Sequence, residues 1–312
     1  MAGFVGFLSV AARIETREFA IPFRLRIRML SKSLCLVLLV FSFSASAVVI
    51  RDDVDDARYR VPDAELLALV DLPMEGHGVL IDPRWVITAA HAVTWQSGGV
   101  NEVTINHVPR HVERLVLYPG YRKLPQPLID EALKTHDATQ IIAFLSASND
   151  VALLKLSEPV TDVAPIAIYR SNDELGKIVE IVGKGATGTG VRGQDANGAH
   201  RTVLRRAFNT ITRVQGPWLC YTFHKPPSAL PLEGISGDGD SGGPVLIQVN
   251  GQWQVAGLVS WKRGTDNAIL LHPGFYGQTN YNVRLSHYAH WIDNVMLADK
   301  ARHGVGAVDG KS

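Results

Sequence analysis

Gly237-Asp238-Gly239-Asp240-Ser241-Gly242-Gly243 runs straight into Pro244-Val245-Leu246-Ile247-Gln248-Val249. Then come Asn250-Gly251 and Gln252-Trp253-Gln254-Val255-Ala256-Gly257-Leu258-Val259-Ser260-Trp261. Asn-Gly tolerates the positive φ angles of a type I′ turn, and the apolar, β-branched runs beside it form the two arms, so Pro244–Trp261 is predicted as a β-hairpin. It directly follows Ser241, so any chemistry at that serine has a rigid base.

The same grammar extends outward through the chain. Short runs rich in Val, Ile, Leu and aromatic residues recur at 78–81, 85–88, 112–117, 151–156 and 178–182, separated by Gly, Pro, Asn and Asp clusters. Many short strands joined by turns predict an all-β barrel or sandwich. Helical spacing of Tyr288, Trp291, Ile292, Val295 and Met296 predicts a C-terminal helix over 286–300, capped by Ser286. A weaker helical pattern at 127–145 reads as a surface insertion, and the Gly-rich stretch 183–198 as a mobile loop or turn region. One compact unit, built of two similar β-barrel halves, is the economical organisation.

Composition sets the outer bounds. With 312 residues, 46% hydrophobic and 20% charged, the chain has the makeup of a globular protein with a sizeable core. A net charge of +1 without a long basic run gives no reason to propose nucleic acid as a partner.

The first 47 residues read differently. Arg24, Arg26, Arg28 and Lys32 precede an apolar run from Leu34 to Val40, and Ala45-Ser46-Ala47 fits an A-x-A cleavage site. Residues 1–47 are therefore expected to be a signal peptide, with Met29 as an alternative start and 1–28 an over-extended leader. Serines interrupt the apolar segment, which is short for a span of about 20 residues. Cleavage after Ala47 removes net charge of +4 and leaves about −3. It also discards Cys35, so Cys220 is alone and is expected to be a buried, unreactive thiol.

Three segments carry candidate chemistry: Val86-Ile87-Thr88-Ala89-Ala90-His91-Ala92, Asn149-Asp150-Val151-Ala152-Leu153-Leu154 and Gly237–Val245. A serine hydroxyl is a weak nucleophile that needs a base within hydrogen-bond reach; a histidine serves near neutral pH, and a carboxylate fixes its tautomer. In the order His, Asp, Ser these segments resemble the chymotrypsin/trypsin-like serine peptidases, in a secreted, bacterial-type form, over 77–298.

The resemblance implies two six-stranded antiparallel β-barrels with a C-terminal α-helix, a peptidase domain over 48–300 and a tail at 301–312. It implies His91, Asp150 and Ser241 as catalytic residues, with the N–H groups of Gly239 and Ser241 as the oxyanion hole. Val259-Ser260-Trp261 resembles the strand that pairs with the substrate backbone, and Ser260 the residue that contacts the triad aspartate. The partner implied is a polypeptide substrate, met by a secreted or periplasmic monomer with no cofactor, no metal and no lasting membrane association. A binding protein that keeps the fold without turnover is the alternative from another class.

Departures from the family pattern also carry expectations. Ile235 stands six residues before Ser241, where trypsins place an aspartate, so an apolar pocket floor without preference for Arg or Lys is expected. Lys262 replaces a pocket-wall glycine and either narrows the pocket, reaches an acidic side chain or turns outward. No Ile-Val-Gly-Gly activation motif occurs; Val48-Val49-Ile50-Arg51 is the nearest counterpart, so signal cleavage itself is expected to free the terminus that pairs with Asp240. In the insertion, Asp130, Glu131, His136 and Asp137 lack defined metal-ligand spacing and read as a solvated loop.

Overall fold

Strand β1 (Val48–Ile50) is buried along its whole length. The computed structural model describes residues 48–95, 99–195, 203–265 and 273–306, with the backbone alone from 302 onward. The expected signal peptide, the end of the Gly-rich stretch and residues 307–312 lie outside the described residues.

After two short 3₁₀ turns, strands β2 (Leu69–Asp71), β3 (His77–Asp82) and β4 (Trp85–Thr88) lead into helix α1 (Ala90–Thr94). Strands β5 (Glu102–Ile105) and β6 (Val108–Leu117) follow, then the insertion with helices α2 (Gln126–Thr135) and α3 (Thr139–Ser146), then β7 (Ala152–Leu156). These strands close a barrel in the order β2-β3-β4-β7-β6-β5. Irregularities at Leu80/Asp82 and Val112/Arg114 supply the local bends that closure requires. Val70, Leu80, Val86, Ile105 and Leu154 fill its interior.

The second half contains β8 (Ile178–Gly183), β9 (Thr187–Thr189), β10 (Gly193–Gln194), β11 (Arg205–Thr210), β12 (Arg213–Gln215) and β13 (Trp218–Thr222). It is completed by β14 (Gly234–Ile235), β15 (Pro244–Val249), β16 (Gln252–Arg263) and β17 (Thr279–Arg284). Seven of them form one sheet, β11-β8-β15-β16-β17-β13-β12, and a four-stranded sheet, β10-β9-β1-β14, lies apart from it in pairing. The mostly β fold in two halves with a C-terminal helix is thus borne out, with one closed six-stranded barrel and a second half in which a seven-stranded sheet curls into a half-barrel. Its two edge strands, β11 and β12, are consecutive in the chain, joined only by Ile211 and Thr212, whose N–H groups extend the β11–β8 and β12–β13 ladders to Lys177 O and Cys220 O.

The hairpin forms as the sequence predicts, with Val249 opposite Gln252 and both Asn250 (φ 51°) and Gly251 (φ 78°) in the left-handed region. The described part of the Gly-rich stretch holds the short strands β9 and β10 with a turn between them. Helix α4 (Leu285–Gly306) starts before Ser286 and runs into the expected tail. Ser286 Oγ donates to Glu174 Oε1 instead of capping the helix.

A shared cluster joins the halves: Val79, Trp85 and Leu153 of the barrel pack with Leu246, Leu258 and Trp261 of the sheet and Tyr288 and Ile292 of α4. Cys220 is buried in this cluster and unpaired. Burial raises its thiol pKa against the opposing pull of Arg213, which makes it an inert packing residue.

Candidate active site

The buried end of β4 hands the chain to α1, so His91 emerges on the first turn of a short helix whose Ala90, Ala92 and Val93 anchor it in the barrel. Asp150 sits just ahead of β7, and its neighbour Asn149 is held by the Tyr288 hydroxyl of α4 at 2.9 Å. Asp150 Oδ1 accepts the His91 backbone N–H at 2.7 Å, while Oδ2 lies 2.7 Å from His91 Nδ1. Ser260 Oγ donates to the same Oδ2 at 2.5 Å.

Burial pushes the Asp150 pKa up, yet His91 and the Ser260 hydroxyl outweigh it and hold the carboxyl below its usual range. At His91 burial pulls the imidazole pKa down, Asp150 pulls it up more strongly, and the net shift is upward. The ionised Asp150 favours the tautomer with its proton on Nδ1, which leaves the Nε2 lone pair available. The His91 side chain is 40% exposed, so that nitrogen can meet a ligand.

Ser241 lies in a turn pinned from several sides. His77 N–H donates to Ser241 O at 2.8 Å, Gly242 N–H to Val259 O at 2.8 Å, and Val259 N–H to Gly243 O at 2.9 Å. These bonds fasten the turn beside β16, one residue from Ser260. Gly239 (φ 89°) and Gly242 (φ 75°) use the left-handed region, and a Cβ on Gly242 would strike Thr88 Oγ1 and His77 O. The Asp240 carboxylate accepts Gly185 N–H and Gly237 N–H, each at 2.7 Å, and lies 3.9 Å from His77 Nε2. Burial raises its pKa, only partly offset by His77 and the two amides.

The structure therefore brings His91, Asp150 and Ser260 into direct contact and ties the Ser241 turn to the strand that carries Ser260. Trp261 is adjacent, stacked on Tyr281 with centroids 3.8 Å apart. Lys262 does not turn outward: its side chain is 10% exposed, with Nζ 3.4 Å from Asp238 Oδ1. The Asp238 carboxylate is also held by Gln194 Nε2 at 2.6 Å. Ile235, expected as an apolar pocket floor, is fully buried, pairs with Val49 and packs with Tyr221 and Val259.

Sequence reasoning missed His77. It is a polar residue heading an apolar strand, buried with Nδ1 3.1 Å from Asp71 Oδ1 and Nε2 accepting Lys184 N–H at 3.2 Å. A histidine inside an otherwise apolar strand run was the available signal. In the insertion, Asp130 accepts from Gln126 and Asp137 caps Thr139, both along helix α2 or α3.

With this geometry in view, the comparison with known proteins is direct: the sequence model of the family described as Trypsin matches residues 69–292. The chain belongs to the trypsin family. Among trypsin-family relatives it is 28% identical to a β-fibrinogenase of Macrovipera lebetinus, over 88% of this chain and 96% of the relative. It is equally 28% identical to serine protease VLSP-3 of the same organism, over 71% and 78% of the two chains. Against vitamin K-dependent protein C of Rattus norvegicus the identity is 28% over 69% of this chain and 44% of that one. This trypsin-family protein is a serine-type endopeptidase acting on polypeptides.

Proposed function

We propose that peptide hydrolysis runs through an acyl-enzyme on Ser241, with His91 as base and acid and Asp150 as its orienting partner. The supporting observation is the bond set on Asp150, in which one buried carboxylate grips both the backbone and the ring of His91 and is itself held by Ser260. His91 Nε2 takes the Ser241 hydroxyl proton as Oγ bonds to the scissile carbonyl carbon, and returns it to the leaving amine as the C–N bond breaks. Water, deprotonated by the same nitrogen, then releases the acid and regenerates Ser241. Gly239 and Ser241 N–H groups meet the oxyanion, each such donor being worth about 100 to 1,000-fold in rate. The substrate backbone runs extended along Ser260-Trp261-Lys262, where Lys262 and Ile235 shape what the primary pocket accepts.

The protein acts outside the cytoplasm, secreted or periplasmic, after cleavage at Ala47, and works as a monomer. Cleavage also frees Val48 as the activating terminus. In support, β1 pairs in parallel with β9 and sets Val48 opposite Thr187, two residues beyond the Gly185 amide that holds Asp240. A buried carboxylate with a raised pKa is what a new ammonium would stabilise. Mass spectrometry of the exported protein after fluorophosphonate treatment, with Ser241→Ala as control, tests both points. Adduct on Ser241 and a chain starting at Val48 are expected. No adduct on folded protein overturns the catalytic reading in favour of a binding protein, and full activity from a chain starting beyond Asp56 overturns the activation step.

A further inference from the structure

The residue ahead of Gly239 is held at each of its polar groups. Asp238 N–H donates to Gln194 Oε1 at 3.1 Å, and Gln194 Nε2 donates back to Asp238 Oδ2 at 2.6 Å, so one side chain grips both the backbone and the carboxylate of Asp238. Asp238 Oδ1 faces Lys262 Nζ of β16 at 3.4 Å. The Asp238 carbonyl accepts Ala186 N–H at 2.6 Å. That last bond orients the next amide, because a planar trans peptide turns the Gly239 N–H to the side opposite the Asp238 carbonyl. Gly239 itself (φ 89°) has no side chain with which to fix the turn. Gln194 is anchored in its own right. It lies in β10, where it pairs with Gly188 of β9, and its N–H donates to Pro273 O at 2.8 Å. A Cβ on Gly188 would run into Gly193 O, so the two strands meet with no room for a side chain between them.

We propose that Gln194 is a positioning residue for catalysis, which fixes Asp238 and, through it, the Gly239 amide that meets the oxyanion. The inference rests on the peptidase reading above and adds to it a residue that acts from outside the triad. A carboxamide suits this place, because it donates to a carboxylate and accepts from a backbone N–H at the same time, which neither a glutamate nor a lysine does. The bond from Nε2 ends on an ionised oxygen, and such bonds are about twice as strong as neutral ones. Asp240 braces the same turn on the far side of Gly239, through Gly185 N–H and Gly237 N–H, so the amide is held from before and after. Donors aimed at a developing charge lower a barrier only when they are held in place beforehand. A displacement of about 1 Å can cost about 100-fold in rate, which is how a residue that acts through another comes to matter.

Gln194→Glu in the full chain in its active form tests this at alkaline pH, because it sets one carboxylate against another at unchanged size. A fall in kcat of about 10 to 100-fold is expected with KM within about threefold, the loss that follows when an oxyanion donor is misaimed. Gln194→Ala, which removes the grip without adding charge, should show the same split at smaller size. A peptidyl trifluoromethyl ketone, whose adduct on Ser241 carries the oxyanion, should bind more weakly by the same factor as the rate falls. Calorimetry of the substrate peptide on Ser241→Ala protein should read one affinity with and without Gln194→Glu. Adding Asp238→Asn to Gln194→Glu should restore most of the rate, since the introduced amide donates to the introduced carboxylate and still offers its oxygen to Lys262. That rescue, with thermal unfolding of each variant, separates the pairing from a folding defect. Unchanged kcat in Gln194→Glu, no rescue by Asp238→Asn, or an equal loss of peptide affinity on Ser241→Ala protein overturns the positioning role and leaves the peptidase reading intact. A parent protein that neither cleaves peptide nor forms the ketone adduct overturns that reading and the positioning role together.

Discussion

Replacing Glu180 by Gln should stabilise the protein in alkaline solution and do little in acid. Glu180 lies on β8, opposite Phe208 on one side and Leu246 on the other, and is 2% exposed. Arg206 donates its Nη1 hydrogen bond to Glu65, and Glu180 Oε2 has no hydrogen-bond partner among the described residues. Burial pushes the Glu180 pKa from 4.5 to about 7, and the Arg206 charge recovers only part of the loss. The folded protein thus binds this proton more tightly than the unfolded chain, so stability falls as pH climbs from the unfolded value through about 7 and is level above it. At about 1.4 kcal/mol per pH unit, the interval amounts to about 3 kcal/mol by pH 8, an upper bound. Gln removes the charge at every pH, while the polar group it leaves buried costs the same in acid and base. The quantity to read is therefore the difference. Thermal unfolding should show Glu180→Gln gaining roughly 5–10 °C relative to the parent at pH 8 compared with pH 4. An equal shift at both pH values, or a loss confined to pH 8, would refute a charge penalty at this position.

Four further outcomes follow from the same geometry. Asp150→Asn should lower kcat by about 10⁴-fold through loss of the correct His91 tautomer. NMR titration should find the His91 pKa lowered, because the carboxylate that raised it is gone while burial remains; a loss of rate under tenfold would contradict the assigned role. Since only neutral His91 accepts a proton, activity of the parent should rise with pH as the imidazole loses its proton above its usual range near 6.5. Gly242→Ala should cost about 2–5 kcal/mol, combining left-handed strain with the collision against Thr88 and His77. Gly251→Ala, at a similar φ but with open space around it, should cost only about 1–2 kcal/mol in urea titrations, and equal losses at both sites would remove the steric argument. Asp299→Ala should destabilise by about 1–3 kcal/mol, because Lys155, 1% exposed, lies 3.0 Å from Asp299 and retains Glu113 at 3.1 Å. No change in its unfolding midpoint would mean that the buried ammonium draws its support elsewhere.

Local chemistry made much of this protein legible in one dimension. Asn250-Gly251 announces its turn because few residues accept two consecutive positive φ angles, and the strands beside it follow from alternation and β-branching. His91, Asp150 and Ser241 stand out because each lies in a short segment whose neighbours already encode the strand, helix start or glycine turn that presents it. Helix α4 was readable for its apolar spacing but not for its start, since Glu174, 112 residues away in the chain, claims the Ser286 hydroxyl.

What depends on residues far apart had to wait for the folded chain. How the second half curls depends on pairings between distant segments: Val245 pairs with both Ile181 and Gly257, which brings strands 60 and more residues apart into one sheet. The direction of Lys262 depended on finding Asp238 within reach, and the surroundings of Ile235 depended on its pairing with Val49. The insertion shows the division most plainly. Its helical pattern can be read from residues 127–145, yet a cavity beside His91 exists only because Phe144 and Leu145 face Trp218 and Trp261, contributed from the other half of the molecule. Sequence determines the conformations that near neighbours impose through sterics and hydrogen bonding. Tertiary structure alone decides which distant side chains share a cavity, because that depends on how whole sheets pack and not on any local preference.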